Sequence, residues 1–85
     1  MNITHIIFCM WLADGQAHTV KEIAEYAKRS GHQVRKEIES SNGISHTDKV
    51  IPVIEHNYNS VMYERRVNAY QPSMAYLRSK LIDKT

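Results

Sequence analysis

The residues of this chain that can do chemistry are five histidines, one cysteine, and lysines and arginines gathered into two stretches. His5 and Cys9 stand four apart, a spacing that puts an imidazole and a thiol on one helix face. Such a pair is a fragment of a metal site or of a nucleophile site. Two ligands are too few for a metal, and His18 would have to fold back to add a third. No Cys-x-x-Cys or His-x-x-x-His spacing occurs. Cys9 lies inside the apolar run 6–13 and is expected to be an inert core thiol. There is no glycine-rich phosphate loop and no carboxylate pair near a cleft-forming element. The expectation is a protein without catalytic residues, metal or cofactor.

The cations form the more informative group. The formal net charge is only +2, but its distribution is uneven. The stretch 21–36 holds Lys21, Lys28, Arg29, Arg35 and Lys36 against Glu22 and Glu25. The stretch 62–85 holds Arg65, Arg66, Arg78, Lys80 and Lys84 against Glu64 and Asp83. Of the charged residues, residues 1–20 carry only Asp14. Locally concentrated positive charge is what a phosphate-facing surface requires.

These side chains must be positioned by a small scaffold. At 85 residues the chain has room for one domain, and a domain of that size buries only about 60–65% of its unfolded surface. A partner chain can complete so thin a core. The hydrophobic share of 42% and charged share of 24% suit a folded chain. The run 6–13 is far short of the ~20 residues of a membrane span. No basic residue precedes it, so it reads as a buried helix and not as a signal peptide. A single cysteine forms no internal disulfide and suits a reducing compartment, so the cytoplasm is expected.

The spacing predicts a first helix over 3–13. Ile3, Ile6, Ile7 and Met10 form its stripe, and Phe8, Trp11 and Leu12 widen it. Asp14-Gly15 stops it. Thr19-Val20-Lys21-Glu22 is a capping box that opens a second helix to about residue 28, with Val20, Ile23, Ala24 and Ala27 inward. Ser30-Gly31-His32-Gln33 is a second capping box. The third helix buries Val34 and Ile38 and ends at residues 40–43. Residues 49–55 and 61–67 read as strands joined by the turn 56–60. Pro52 cannot donate to a ladder, so it should face outward or mark a bulge. Pro72 and Ser73 can open a last helix to about residue 82, with Met74, Leu77 and Leu81 on one side. Tyr63, Tyr70 and Tyr76 are expected to pack at the core rim. The fold class is α+β in the order α-α-α-β-β-α.

Two capped helices joined by a very tight turn suggest a helix-turn-helix. The residues that carry the pattern are Ile23-Ala24 in its first helix, Lys28 at the turn, Ser30 as the cap, and Val34 and Ile38 after it. Ala24 is small enough for the next helix to cross close over it. With a helix before and a hairpin after, residues 3–67 resemble the winged helix-turn-helix superfamily, in particular small bacterial or phage-type transcriptional regulators. The sequence departs from the usual pattern at Lys28, where glycine is common, and at Arg29, where an apolar residue is.

The resemblance implies a single domain over 1–85, with the helix-turn-helix at about 19–41, the wing at about 48–67 and a C-terminal helix at about 72–82. It implies double-stranded DNA as the partner, with the third helix in the major groove. The base-contact candidates are then His32, Gln33, Arg35 and Lys36, where Gln33 can pair with adenine and Arg35 with guanine. Ser30 and Gly31 sit at a helix N-terminus suited to a phosphate, and Lys21, Lys28 and Arg29 would position the domain through phosphates. His56, Asn57, Tyr58 and Asn59 correspond to a wing tip flanked by Arg65 and Arg66. Those two arginines alternate faces, so one at most is expected to point at DNA. A homodimer through Met74, Leu77, Leu81 and the first helix is expected, because such regulators commonly bind paired half-sites. The alternative is a protein-interaction module that uses the same surface without DNA. Glu37 and Glu39 on the third helix favour it, since carboxylates are repelled by a duplex. RNA binding ranks below both, because no exposed aromatic stripe is apparent.

Overall fold

Each helix begins where a polar side chain supplies the partner that the first backbone N–H groups lack. A computed structural model describes residues 2–55 and 61–81. Its order is α1 (Ile3–Asp14), α2 (Val20–Ala27), α3 (Gly31–Glu39), β1 (Ile44–Glu55), β2 (Val61–Pro72) and α4 (Met74–Leu81). At α1 the Asn2 side chain accepts from the His5 N–H at 2.9 Å. At α2 both halves of the box form: Thr19 Oγ1 accepts from the Glu22 N–H at 3.2 Å, and Glu22 Oε1 from the Thr19 N–H at 3.0 Å. Ser30 accepts from the Gln33 N–H at 3.1 Å, and Ser73 from the Tyr76 N–H at 3.1 Å. The reciprocal bond is seen at Thr19 and Glu22 alone among the described caps. The Gln33 side chain is therefore exposed and not folded back on Ser30.

The three helices close on one apolar centre. Ile3, Ile6, Ile7 and Met10 of α1 meet Ile23 of α2 and Val34 of α3, and Val20, Ala24, Ala27, Ile38, Ile44 and Tyr70 ring them. Ile23 and Val34 are fully buried. Phe8 is buried too, so α1 is covered on more than one side, but Leu12 stands out in solvent.

β1 and β2 form one antiparallel pair in register from Ile44 opposite Pro72 to Glu55 opposite Val61. The register runs without a bulge, and Pro52 sits in it opposite Glu64, exposed. The hairpin is longer than the expected 48–67. Residues 44–48 and 68–72 have little strand propensity of their own. They pair because the helices hold them: Ala69 is fully buried and Ile44 joins the core. A single bridge adds His18, from the α1–α2 connection, to the outer edge of β2. The His18 N–H donates to the Tyr70 carbonyl at 2.9 Å and the Tyr70 N–H returns to His18 at 2.7 Å. The same pull corrects the last helix. Pro72 is the buried end of β2, where its missing N–H is harmless, and α4 starts at Met74 behind the Ser73 cap.

α4 rests on α1 through Tyr76, whose ring meets Phe8 edge-on at 5.4 Å between centroids. Leu77 is half-buried, while Met74 and Leu81 are exposed. Tyr70 and Tyr76 pack as expected, but Tyr63 lies exposed on the hairpin. Half of the hairpin extends past the helices, and the molecule measures 58 × 23 × 18 Å. Among the described residues no helix is long and apolar enough to cross a membrane.

Candidate nucleic-acid interface

The turn between α2 and α3 sets which side chains of α3 face outward. Lys28 ends α2 in the left-handed region, at φ 56° and ψ 45°. The Arg29 N–H then reaches back to the Ala24 carbonyl at 3.0 Å, and Ser30 can cap the next helix at once. This is the position where glycine is usual, and the backbone conformation explains why. With Val34 fully buried, the helical period leaves His32, Gln33, Arg35 and Lys36 all exposed.

The nominated residues do not all share one surface. Lys21 at the start of α2, Arg35 of α3, and Arg65 and Arg66 of β2 line one groove of about 770 Å³, between the helices and the hairpin. Every charged residue that lines it is a cation. Val20, Val67 and Tyr70 lie along the same groove. Both arginines line it, although they alternate faces along the strand. The groove runs along the edge of β2, and side chains from either face can extend past an edge. Lys36 lies apart, beside Glu37, Glu39 and Ser40.

Arg29 lines a shallow depression with Lys21, Gly31 and Arg35, and it is also tied to a carboxylate. Its guanidinium donates to both Glu37 oxygens at 2.8 Å, with both side chains largely covered. This bidentate pair ties the turn to the middle of α3. It also neutralises Glu37, one of the two carboxylates that favoured a protein partner. Glu39 remains exposed. Ser30 and Lys28 are exposed, and Gly31 is half-buried, its α-carbon side turned toward Val20. The expected tip residues His56, Asn57, Tyr58 and Asn59 lie outside the described residues.

A cluster not foreseen from the sequence fixes the helices against the hairpin. His18 is buried, with Nε2 at 3.0 Å from Asp14 and Nδ1 at 3.5 Å from Glu22. Lys49 of β1 donates to the Ala17 carbonyl at 3.0 Å and lies 3.6 Å from Glu22. The Gln16 N–H, followed by His18, holds Asp14 below the usual carboxylate range. Burial pushes Glu22 up, but the Thr19 N–H, Lys49 and His18 together outweigh it and leave it lowered. The one sequence signal was the i, i+4 spacing of Asp14, His18 and Glu22. It crosses a helix boundary, so no helical period could be read through it.

The other chemistry-bearing pair is close but small. Cys9 Sγ is 3.5 Å from His5 Nε2, and Cys9 is only partly buried. Burial, and Cys9 nearby, raise the Tyr76 phenol. Among the described residues no group of three or more His, Cys, Asp or Glu could hold a metal ion. No known protein family, curated protein or solved structure matches the chain.

Proposed function

We propose that the chain is a winged helix-turn-helix protein that binds double-stranded DNA and acts as a transcriptional regulator. The observation that carries this reading is the groove whose only charged residues are Lys21, Arg35, Arg65 and Arg66. Four cations gathered in one groove repel one another, and an anion laid along it relieves that repulsion. They come from three separate elements, so a long polyanion is a better fit than a small one. In this reading α3 enters the major groove and presents His32, Gln33 and Arg35 to base edges. Lys21, Arg65 and Arg66 hold the adjacent sugar-phosphate backbone, and β2 acts as the inner edge of a wing. Lys36, on the far flank of α3, meets the opposite strand.

Fluorescence anisotropy of a labelled mixed-sequence duplex tests the reading. Four phosphate contacts give a log–log salt slope of about −3.6, or about a 150-fold loss of affinity between ~50 and ~200 mM salt. Arg35→Ala/Arg65→Ala/Arg66→Ala is expected to weaken binding and, by removing the two phosphate contacts of Arg65 and Arg66, to flatten the slope by about 1.8. No binding at ~50 mM salt, or a triple variant that binds like wild type, would sink the proposal.

A further inference from the structure

The two backbone bonds between His18 and Tyr70 fix which way β2 presents its polar groups. In an antiparallel strand the N–H and C=O of one residue point to the same side, and successive residues point to opposite sides. Tyr70 turns both groups away from β1, toward His18. The register has no bulge, so Asn68, Arg66, Glu64 and Met62 turn theirs the same way. Among the described residues, backbone groups bond to this outer edge at Tyr70 alone. His18 thus begins a third strand that the chain abandons at Thr19, the cap of α2. The same parity puts the missing N–H of Pro52 on the outer edge of β1, opposite Glu64. β1 is thereby blunted against strand addition, and β2, with no proline from 61 to 71, is not.

Beside the open edge lies the cationic groove. Arg66 and Asn68 line it, as do Val20, Ile51 and Val67. Ile51 and Val67 are half-buried on one face of the hairpin, and Arg66 and Asn68 stand exposed on the other. The charges indicate the occupant. A second copy's β2 would bring two clusters of arginine together, and they repel. An acidic segment meets Lys21, Arg35, Arg65 and Arg66 instead.

We propose that the outer edge of β2 takes an extended acidic peptide as a third strand, antiparallel and in line with His18, with acidic residues paired to Arg66 and Asn68. Directly paired residues share a face. The acidic side chains therefore lie beside Arg66, and the alternate side chains point toward Val20, Ile51 and Val67. Main-chain bonds supply the affinity and the alternating side chains the specificity. The peptide and a duplex use the same arginines and exclude one another. That exclusion rests on the DNA-binding proposal, and the strand addition does not.

Fluorescence anisotropy without DNA tests it, using a labelled peptide of about eight residues, alternating glutamate and valine and blocked at both ends. Saturable binding below ~1 mM is expected. N-methylation of the glutamates removes the N–H groups aimed at Arg66 and Asn68, and a loss of about 30-fold is expected, the effect of two hydrogen bonds. N-methylation of the valines, whose N–H groups point away from β2, is expected to leave binding unchanged. Asn68→Pro removes one outward N–H with no change of charge and no loss from the β1 ladder, and is expected to weaken binding about fivefold. Bound peptide should also protect the Arg66 and Asn68 N–H groups from exchange. No saturable binding at ~1 mM overturns the proposal. So do equal affinities for the three peptides, which would show charge attraction alone, and equal losses for the two methylated peptides, which would show a different pairing. Unchanged protection at Arg66 and Asn68, or an Asn68→Pro variant that keeps its far-ultraviolet circular dichroism and binds like wild type, overturns it too. The methylated peptides test the proposal on the unaltered protein, whatever the fold of the variant.

Discussion

Lys28 holds a left-handed backbone, φ 56°, without the freedom of glycine. A side chain in that region costs about 1 kcal/mol. Lys28→Gly is therefore expected to stabilise the fold by up to about 0.6 kcal/mol, after the added entropy of the unfolded chain is subtracted. For a chain of this size that raises Tm by up to about 4 °C, measured by thermal unfolding. A lowered Tm would show that the Lys28 side chain has a packing role. Gly43 is the opposite case. A Cβ there would fall 2.7 Å from the Thr4 methyl and 2.9 Å from the Tyr76 ring. Gly43→Ala must push α4 off α1, and a loss of about 1–3 kcal/mol in denaturant unfolding is expected.

Asp14 and Glu22 carry the acid sensitivity. Both are lowered in the folded chain. Their stabilisation is therefore complete above the unfolded carboxylate range, about 3.9–4.3. It is lost as pH falls through the lower folded values. Unfolding followed from pH 6 to pH 3 should show declining stability below about pH 4.5. Glu22→Gln should be less stable at neutral pH and flatter on that acid limb. An acid limb as steep as wild type would remove Glu22 from this account.

Among the elements, the three helices were legible because each signal in them is local. Thr19 and Glu22 lie three apart, and Ile23 and Val34 follow a helical period, so the capping box and buried face appear where the spacing put them. Thr19→Ala is expected to cost about 1 kcal/mol, and more than Ser30→Ala, since its box has both halves. Equal losses in paired thermal melts would contradict that ordering. The hairpin was only half legible. Its outer rows alternate as a strand should, but its inner rows, 44–48 and 68–72, are strand because Ala69 is buried and Tyr70 is bridged to His18. α4 was misplaced by two residues at its start for the same reason: Pro72 can open a helix or end a strand, and burial against the body selected the strand.

The whole molecule divides by cover: a helical body with a buried centre, and an arm whose outer rows are bare. Amide hydrogen exchange at low concentration should protect the Tyr70 N–H, which is bonded to His18, far more than the amides of 61–66. Uniform protection along β2 would mean that the arm is not free of the body.

The amino-acid sequence by itself determined the element order, the caps at Thr19 and Ser30, the burial of Ile23 and Val34, and the exposure of His32, Gln33, Arg35 and Lys36, since the local features follow from neighbours within about one helical turn. Tertiary structure alone decided which cations share a groove. Arg35 and Arg65 are thirty residues apart in the chain. They line one groove because the His18 bridge pins β2 beside the start of α2. It also decided that Arg29 serves Glu37, and that Asp14, His18, Glu22 and Lys49 form one polar cluster at the base of the hairpin. Those outcomes depend on distances between elements, and a period read along one element carries no information about them.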